Sequence, residues 1–184
     1  NCAYDDGKNK QHYEWKMIIQ VYDQFLTVDE CNYLIDFYNN NKNLSVEFGH
    51  EGRCPRWPLQ IPENTTEFKL LQNKLNEKAI YANNSVIEYV QIVRWPIGSK
   101  QNSHYDKAQD YTTLASIIYL NDNFIGGETY FTDGMTFAPR QGRLILFDGQ
   151  YFEHGVHDVH THERYVVAAW YKKNEKKTKK IKVY

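Results

Sequence analysis

From residue 85 onward the chain changes character. Seven short segments, 86–95, 112–121, 128–132, 135–138, 143–147, 154–159 and 164–172, are rich in Val, Ile, Tyr and Phe. Turn signals separate them: residues 121–123, Gly126 with Gly127, Asp133 with Gly134, residues 139–142, and Asp148 with Gly149. β-Branched and aromatic side chains suit a pleated, half-buried surface, whereas Gly, Asn and Asp supply turn conformations. Seven such strands at this spacing predict a sandwich, jelly roll or barrel. Asp133-Gly134 predicts a hairpin turn.

The first half reads differently. A strand is expected at 16–22. Thr27 and Glu30 form a capping box, in which each side chain satisfies the other's backbone N–H. Val28, Cys31, Leu34, Ile35 and Tyr38 follow at helical spacing, and the Asn run at 39–41 ends that helix. A second helix fits 66–81, with Phe68, Leu71, Leu75 and Ala79 on one stripe. Between them, 44–63 holds Gly49, Gly52, Pro55, Pro58 and Pro62 and reads as a long irregular connection. Its Arg53, Arg56 and Trp57 make it a candidate substrate lid, with an ordered surface crossover as the equal alternative. The expected fold class is α+β, mainly β, as a single domain over 1–171. Helical support spans about 27–81 and a β core about 86–171, with the helices packed on one sheet.

Composition narrows the functional classes. Aromatics make up 15% of the 184 residues, which argues for a packed core. No run approaches the roughly 20 apolar residues of a membrane span. The net charge of -1 conceals a split: residues 172–184 hold seven Lys and one Glu, so this basic tail carries +6 and the body -7. Nucleic acid is therefore not an expected partner of the body. Cys2, Cys31 and Cys54 are odd in number and match no zinc pattern. With no signal peptide visible in a chain that begins at Asn1, a reducing, cytoplasmic setting is the expectation. The oligomeric state stays open.

Chemistry concentrates on histidines. In His104-Tyr105-Asp106 an extended chain would point residues i and i+2 to the same face, setting imidazole beside carboxylate. Such a triplet is frequent by chance. Four further histidines, His154, His157, His160 and His162, lie about 50 residues downstream. One of them would complete a two-His, one-carboxylate set. That set leaves open positions on an octahedral ion and suits non-haem Fe(II).

At these residues the sequence resembles the 2-oxoglutarate- and Fe(II)-dependent dioxygenases, in particular the prolyl 4-hydroxylase-like branch. That family has a distal His followed by Val at +2 and +5 and a basic residue nine to ten further on. Here His154 is followed by Val156, Val159 and Arg164, so the resemblance selects His154. Gln91 to Pro96 with Gly98, the Tyr119-Leu120-Asn121 strand end, the turn Gly126-Gly127-Glu128-Thr129, Pro139 with Gly142 and Phe147, and Arg164-Tyr165 with Trp170 follow the family in order. Phe25-Leu26-Thr27 with Glu30-Cys31 is similar to its first helix entry. The similarity covers about 21–38 and 88–171.

The resemblance implies a double-stranded β-helix core in which His104, Asp106 and His154 hold Fe(II). It implies that Arg164 anchors the far carboxylate of 2-oxoglutarate, where many prolyl 4-hydroxylases carry Lys and the hypoxia-sensing ones Arg. Tyr119 aligns with a Tyr that hydrogen-bonds the same carboxylate. The family's second Tyr is replaced by Trp95, which leaves that polar contact open and makes Trp95 a candidate pocket wall. The implied reaction uses O2, releases succinate and CO2, and hydroxylates a C–H bond, with ascorbate in a supportive role. Asp106 stands where related halogenases have a small residue. Trp170 stands where nucleic-acid dealkylases have a second Arg. A prolyl residue in a peptide or protein is the expected substrate, with a free amino acid or other small molecule as the alternative. Arg94, Arg56 and Trp57 are candidate substrate contacts. A non-catalytic metal- or ligand-binding barrel and a zinc hydrolase are the competing readings, and the latter leaves Arg164 unexplained.

Overall fold

The computed structural model describes residues 19–50, 53–106 and 112–174, the side chains of 50, 53 and 54 excepted. In chain order the elements are β1 (Ile19–Tyr22), α1 (Val28–Asn41), a 3-10 turn (Lys42–Leu44), β2 (Phe48–His50), β3 (Arg53–Gln60), α2 (Thr66–Asn83) and β4 (Ser85–Trp95). There follow β5 (Gln101–His104), β6 (Thr112–Tyr119), β7 (Ile125–Gly126), β8 (Thr129–Phe131), β9 (Thr136–Phe137), β10 (Leu144–Phe147), β11 (His154–Val156), β12 (Val159–His160) and β13 (Arg164–Lys173). The protein is mainly β, with two α-helices among the described residues.

A seven-stranded sheet runs in the order β1-β10-β6-β13-β4-β3-β2. A four-stranded sheet runs β5-β11-β8-β9, and β12 pairs with β7. Side chains alternate across the large sheet. Val90 and Ile92 of β4, Leu114 and Ile118 of β6, Leu144 and Leu146 of β10, and Val167, Ala169 and Tyr171 of β13 share one buried cluster with both helices. Their intervening neighbours Val93, Ala115, Tyr119, Ile145, Phe147 and Val166 form a second cluster with Phe131 and Val156 of the small sheet. Because both faces are covered, β10 reads Leu-Ile-Leu-Phe without a polar residue. The expectation of helices packed on one sheet is met.

Both helices start as their sequences dictate. Thr27 and Glu30 exchange the two hydrogen bonds of a capping box, at 2.9 and 3.2 Å. Cys31, Leu34 and Tyr38 are buried on α1, but Val28, expected on that stripe, is 57% exposed. On α2 the stripe Phe68, Leu71, Leu75 and Ala79 is buried throughout, and the helix ends at Asn84 in the left-handed conformation. Cys31 is a free buried thiol, and burial pushes its pKa up to about 11. Cys2 lies outside the described residues, as does the side chain of Cys54.

Several expectations need correction. The 44–63 segment is not irregular: it contains β2 and β3, which pair with each other, and β3 pairs with β4 through Trp57, Pro58, Leu59 and Gln60. Pro is compatible with a strand near a sheet edge, where few ladder N–H groups are required, so the prolines were a misleading break signal. The expected strand at 154–159 is two strands, β11 and β12, in different sheets. Strands β5 and β7 were not expected at all. The hairpin at Asp133 and Gly134 is present, with Gly134 at φ +101°, but its loop is longer than two residues. Strand β13 continues into the basic stretch: Lys172 and Lys173 pair with Val86 and Ser85. Residues 175–184 lie outside the described residues, as do 16–18 of the first expected strand. Among the described residues no helix is long and apolar enough to cross a membrane. Since Leu75 is fully buried between α2 and the sheet, Leu75→Ala should lower unfolding stability by about 2–5 kcal/mol in urea titrations.

Candidate active site

Strands β5 and β11 pair antiparallel with His104 opposite His154. Asp106 follows two residues after His104, and its N–H donates to the Gly149 carbonyl at 2.8 Å. One ligand atom from each of the three side chains lies within 4.8 Å of the other two. Asp106 Oδ1 is 3.8 Å from His104 Nε2, and Asp106 Oδ2 is 3.7 Å from His154 Nε2. Both rings are oriented alike. His104 Nδ1 is 3.2 Å from the Asn102 carbonyl, and His154 Nδ1 is 3.1 Å from the Phe152 carbonyl. A carbonyl demands a donor, so each proton belongs on Nδ1 and each Nε2 lone pair faces Asp106. Burial holds His154 below its ordinary pKa; Asp106 opposes this and His104 adds to it. Neutral imidazoles and one carboxylate are the donor set of a catalytic first-row metal site, so the residues fit Fe(II).

Local sequence explains how the carboxylate is accommodated. A Cβ built on Gly149 would lie 2.8 Å from Asp106 Cβ and 3.3 Å from Ala115 Cβ, so only glycine fits there. Sequence reading took Gly149 for turn punctuation alone. It also missed Gln101, whose amide Nε2 is 3.1 Å from His104 Nε2. A lone Gln carries no sequence signal for such a role.

His157 stacks on Tyr130 with ring centroids 4.5 Å apart, and His160 and His162 are exposed. None of these three joins the cluster. The triad lines a cavity of about 500 Å³ together with Arg164 and Trp95. Arg164 is fully buried, with Nε and Nη1 lacking any hydrogen-bond partner among the described residues. Its Nη2 donates weakly to Thr129 Oγ1 at 3.4 Å. The guanidinium carbon sits 5.1 Å from the Trp95 ring centroid and 5.2 Å from that of Tyr119. Burial pushes Arg164 below its usual pKa, and the Tyr119 phenol opposes that. A buried, unpaired cation costs several kcal/mol, so an anionic ligand at this end of the cavity would remove a large penalty. The Tyr119 hydroxyl donates to the Phe137 carbonyl at 3.2 Å and accepts from the Thr129 N–H at 3.0 Å. Thr129 therefore links Tyr119 to Arg164, a role that reading its turn motif did not reveal.

Of the expected substrate contacts, only Arg56 lines the cavity, its guanidinium 4.5 Å from the Phe48 ring centroid and 5.3 Å from that of Trp95. Arg94 and Trp57 do not. Arg94 alternates away from Val93 and Trp95, pairs with Glu163 at 2.7 Å and covers the Trp57 ring at 4.8 Å. Trp57 packs against the helix-side cluster. Strand alternation is the reason, because neighbouring residues of one strand face opposite sides.

The model of the 2OG-Fe(II) oxygenase superfamily matches residues 90–172, a span that contains His104, Asp106, His154 and Arg164. Over that span the chain is similar to the 2OG-Fe(II) oxygenase superfamily. It is also similar to "Probable prolyl 4-hydroxylase 10" of Arabidopsis thaliana, at 28% identity over 181 residues. The match covers 78% of this chain and 63% of the plant protein, so the chain spans less than two thirds of that relative. Solved structures share its fold. A Pseudomonas putida prolyl-4-hydroxylase matches with a TM-score of 0.73 at 17% identity, covering 86% of this chain and 94% of that one. The viral collagen prolyl hydroxylase of Paramecium Bursaria Chlorella virus-1 matches with a TM-score of 0.70 at 20% identity, covering 85% and 96%. A Trichoplax adhaerens prolyl hydroxylase, solved with a hypoxia inducible factor peptide, matches with a TM-score of 0.72 at 16% identity, covering 84% and 83%.

The buried Arg164 guanidinium gives a distinctive expectation. Arg164→Met should leave unfolding stability unchanged or raise it by about 1–4 kcal/mol, as replacement of a buried charge by an apolar side chain does. Chemical denaturation of the two proteins without added ligand measures this. Gly149→Ala, by contrast, should displace Asp106 and weaken metal binding, as read by titration with Zn(II).

Proposed function

We propose that this protein is an Fe(II)- and 2-oxoglutarate-dependent dioxygenase that hydroxylates a prolyl residue in a peptide or protein, releasing succinate and CO2. One observation carries the reading: a His-Asp-His cluster shares a cavity with a fully buried arginine whose Nε and Nη1 have no partner among the described residues. A metal and a dianion are the two partners this pair of features lacks. The prolyl substrate is supported by the similarity to a plant prolyl 4-hydroxylase and by the folds of the prolyl hydroxylases above. The catalytic unit is a single domain on a double-stranded β-helix core that closes with β13, and the rest of the basic tail follows it.

His104, Asp106 and His154 would hold the iron. When bound, iron and 2-oxoglutarate together supply oxidation of a C–H bond by O2, coupled to decarboxylation, with ascorbate as a supportive reductant. The chain contributes position and charge. The Asn102 and Phe152 carbonyls lock both imidazoles in the ligating tautomer. Gly149 leaves room for the Asp106 carboxylate. Arg164 would bind the far carboxylate of the co-substrate, held in place by Thr129 and, through it, Tyr119. Val93, Val166 and Phe147 keep the cavity wall apolar between the two ends, which strengthens each charge contact inside it.

The test is turnover of 2-oxoglutarate with Fe(II) and O2 against a peptide library, read as succinate release and as gain of one oxygen atom by mass spectrometry. Loss of a group that only supports a metal ligand costs about 10–100-fold, so His104→Ala and Asp106→Ala should each exceed that. Succinate release that survives either substitution would overturn the assignment.

A further inference from the structure

We propose that the indole Nε1–H of Trp95 is a hydrogen-bond donor to the far carboxylate of 2-oxoglutarate, beside Arg164, and so selects a dicarboxylate over a 2-oxo monoacid. The inference rests on the co-substrate reading above and deepens it. Trp95 lies directly opposite Arg164 in the pairing of β4 with β13, and its ring flanks the guanidinium. Both side chains line the cavity that holds the His-Asp-His cluster.

A count of donors at this end of the cavity points to the indole. Tyr119 has one proton, and the Phe137 carbonyl takes it. Thr129 Oγ1 accepts from Arg164 Nη2 and lies 2.8 Å from the Tyr119 hydroxyl, which its own proton can reach. Three buried donors then remain without partners among the described residues: Arg164 Nε, Arg164 Nη1 and Trp95 Nε1. Trp95 is 4% exposed and Arg164 0%. An indole N–H can only donate, and when buried it normally has an acceptor. A carboxylate accepts at about four lone-pair sites, enough for the guanidinium and the indole together. The surroundings exclude bulk water, which makes such a contact strong. Arg164 alone would bind any anion, whereas the added indole donor places a neutral partner against the same carboxylate. The ring's bulk has a second effect: it closes over the guanidinium and keeps it buried.

The decisive measurement is ligand affinity of the full chain loaded with Zn(II), which is redox-inactive and diamagnetic. Calorimetry compares 2-oxoglutarate with 2-oxopentanoate, which has the same length but ends in a methyl group. In Trp95→Phe the affinity for 2-oxoglutarate should fall about ten-fold, the usual cost of losing one hydrogen bond to a charged group. Affinity for 2-oxopentanoate should stay within about two-fold. In the parent protein labelled with nitrogen-15, the Trp95 indole N–H resonance should shift and become slow to exchange on adding 2-oxoglutarate, and not on adding 2-oxopentanoate. Equal losses for both ligands in Trp95→Phe, or an indole resonance that 2-oxoglutarate leaves unmoved, would show that Trp95 is only a wall. The resonance in the parent decides the matter even if the variant does not fold. Failure of the parent itself to bind 2-oxoglutarate would overturn the oxygenase reading, and is thereby distinguished from failure of the indole contact alone.

Discussion

Alternation along β13 organises the molecule. Val167, Ala169 and Tyr171 point to the helices, while Arg164, Val166, Ala168 and Trp170 point to the cavity. The strand sits between β6 and β4, so both neighbours must keep the same register. A slip of one residue would send Arg164 into the helical core and expose that core's aliphatic residues to the site. Hydrophobic burial on the helix face therefore enforces the placement of a charge on the opposite face. The two helices contribute no residue to the cavity lining, yet they cover the sheet's other face.

The cavity side is arranged at a cost to stability. A buried guanidinium with two nitrogens unpartnered among the described residues, and a buried indole N–H likewise, would be poor choices for folding alone. The second cluster includes Ile145, Phe147 and Phe131, and it supplies the packing that keeps these groups in position. The metal end uses a different device. Its two imidazoles come from paired strands, each oriented by the carbonyl two residues earlier, and the carboxylate occupies space left by a glycine. Paired strands carry His104 and His154 at one end and Arg164 at the other, so sheet geometry sets the separation between the two ends of the cavity.

Much of this was legible because it is local. The capping box at Thr27 and Glu30, the stripe on α2 and the apolar strands each arise from residues close in sequence, where spacing translates directly into a face. The metal triad was legible in part: His104 and Asp106 announce each other, but choosing His154 from four histidines needed the family pattern. Where the reading failed, sequence proximity competed with tertiary context. Pro55 and Pro58 look like strand breakers, yet β3 lies near a sheet edge that tolerates them. Arg94 and Trp57 look like neighbours of the site, yet alternation turns both away from it.

By itself the sequence determined which residue types could form a metal centre, an anion anchor and a two-sided sheet, because those properties reside in side-chain chemistry and short-range periodicity. Only the tertiary structure decided which donors remain unsatisfied. On paper the resemblance made Tyr119 the partner of a carboxylate and Trp95 a candidate pocket wall. Folding directs the Tyr119 proton to a backbone carbonyl and leaves the indole N–H of Trp95 buried beside Arg164. Hydrogen-bond satisfaction depends on which atoms long-range strand pairing brings within about 3 Å, and no local pattern encodes that distance.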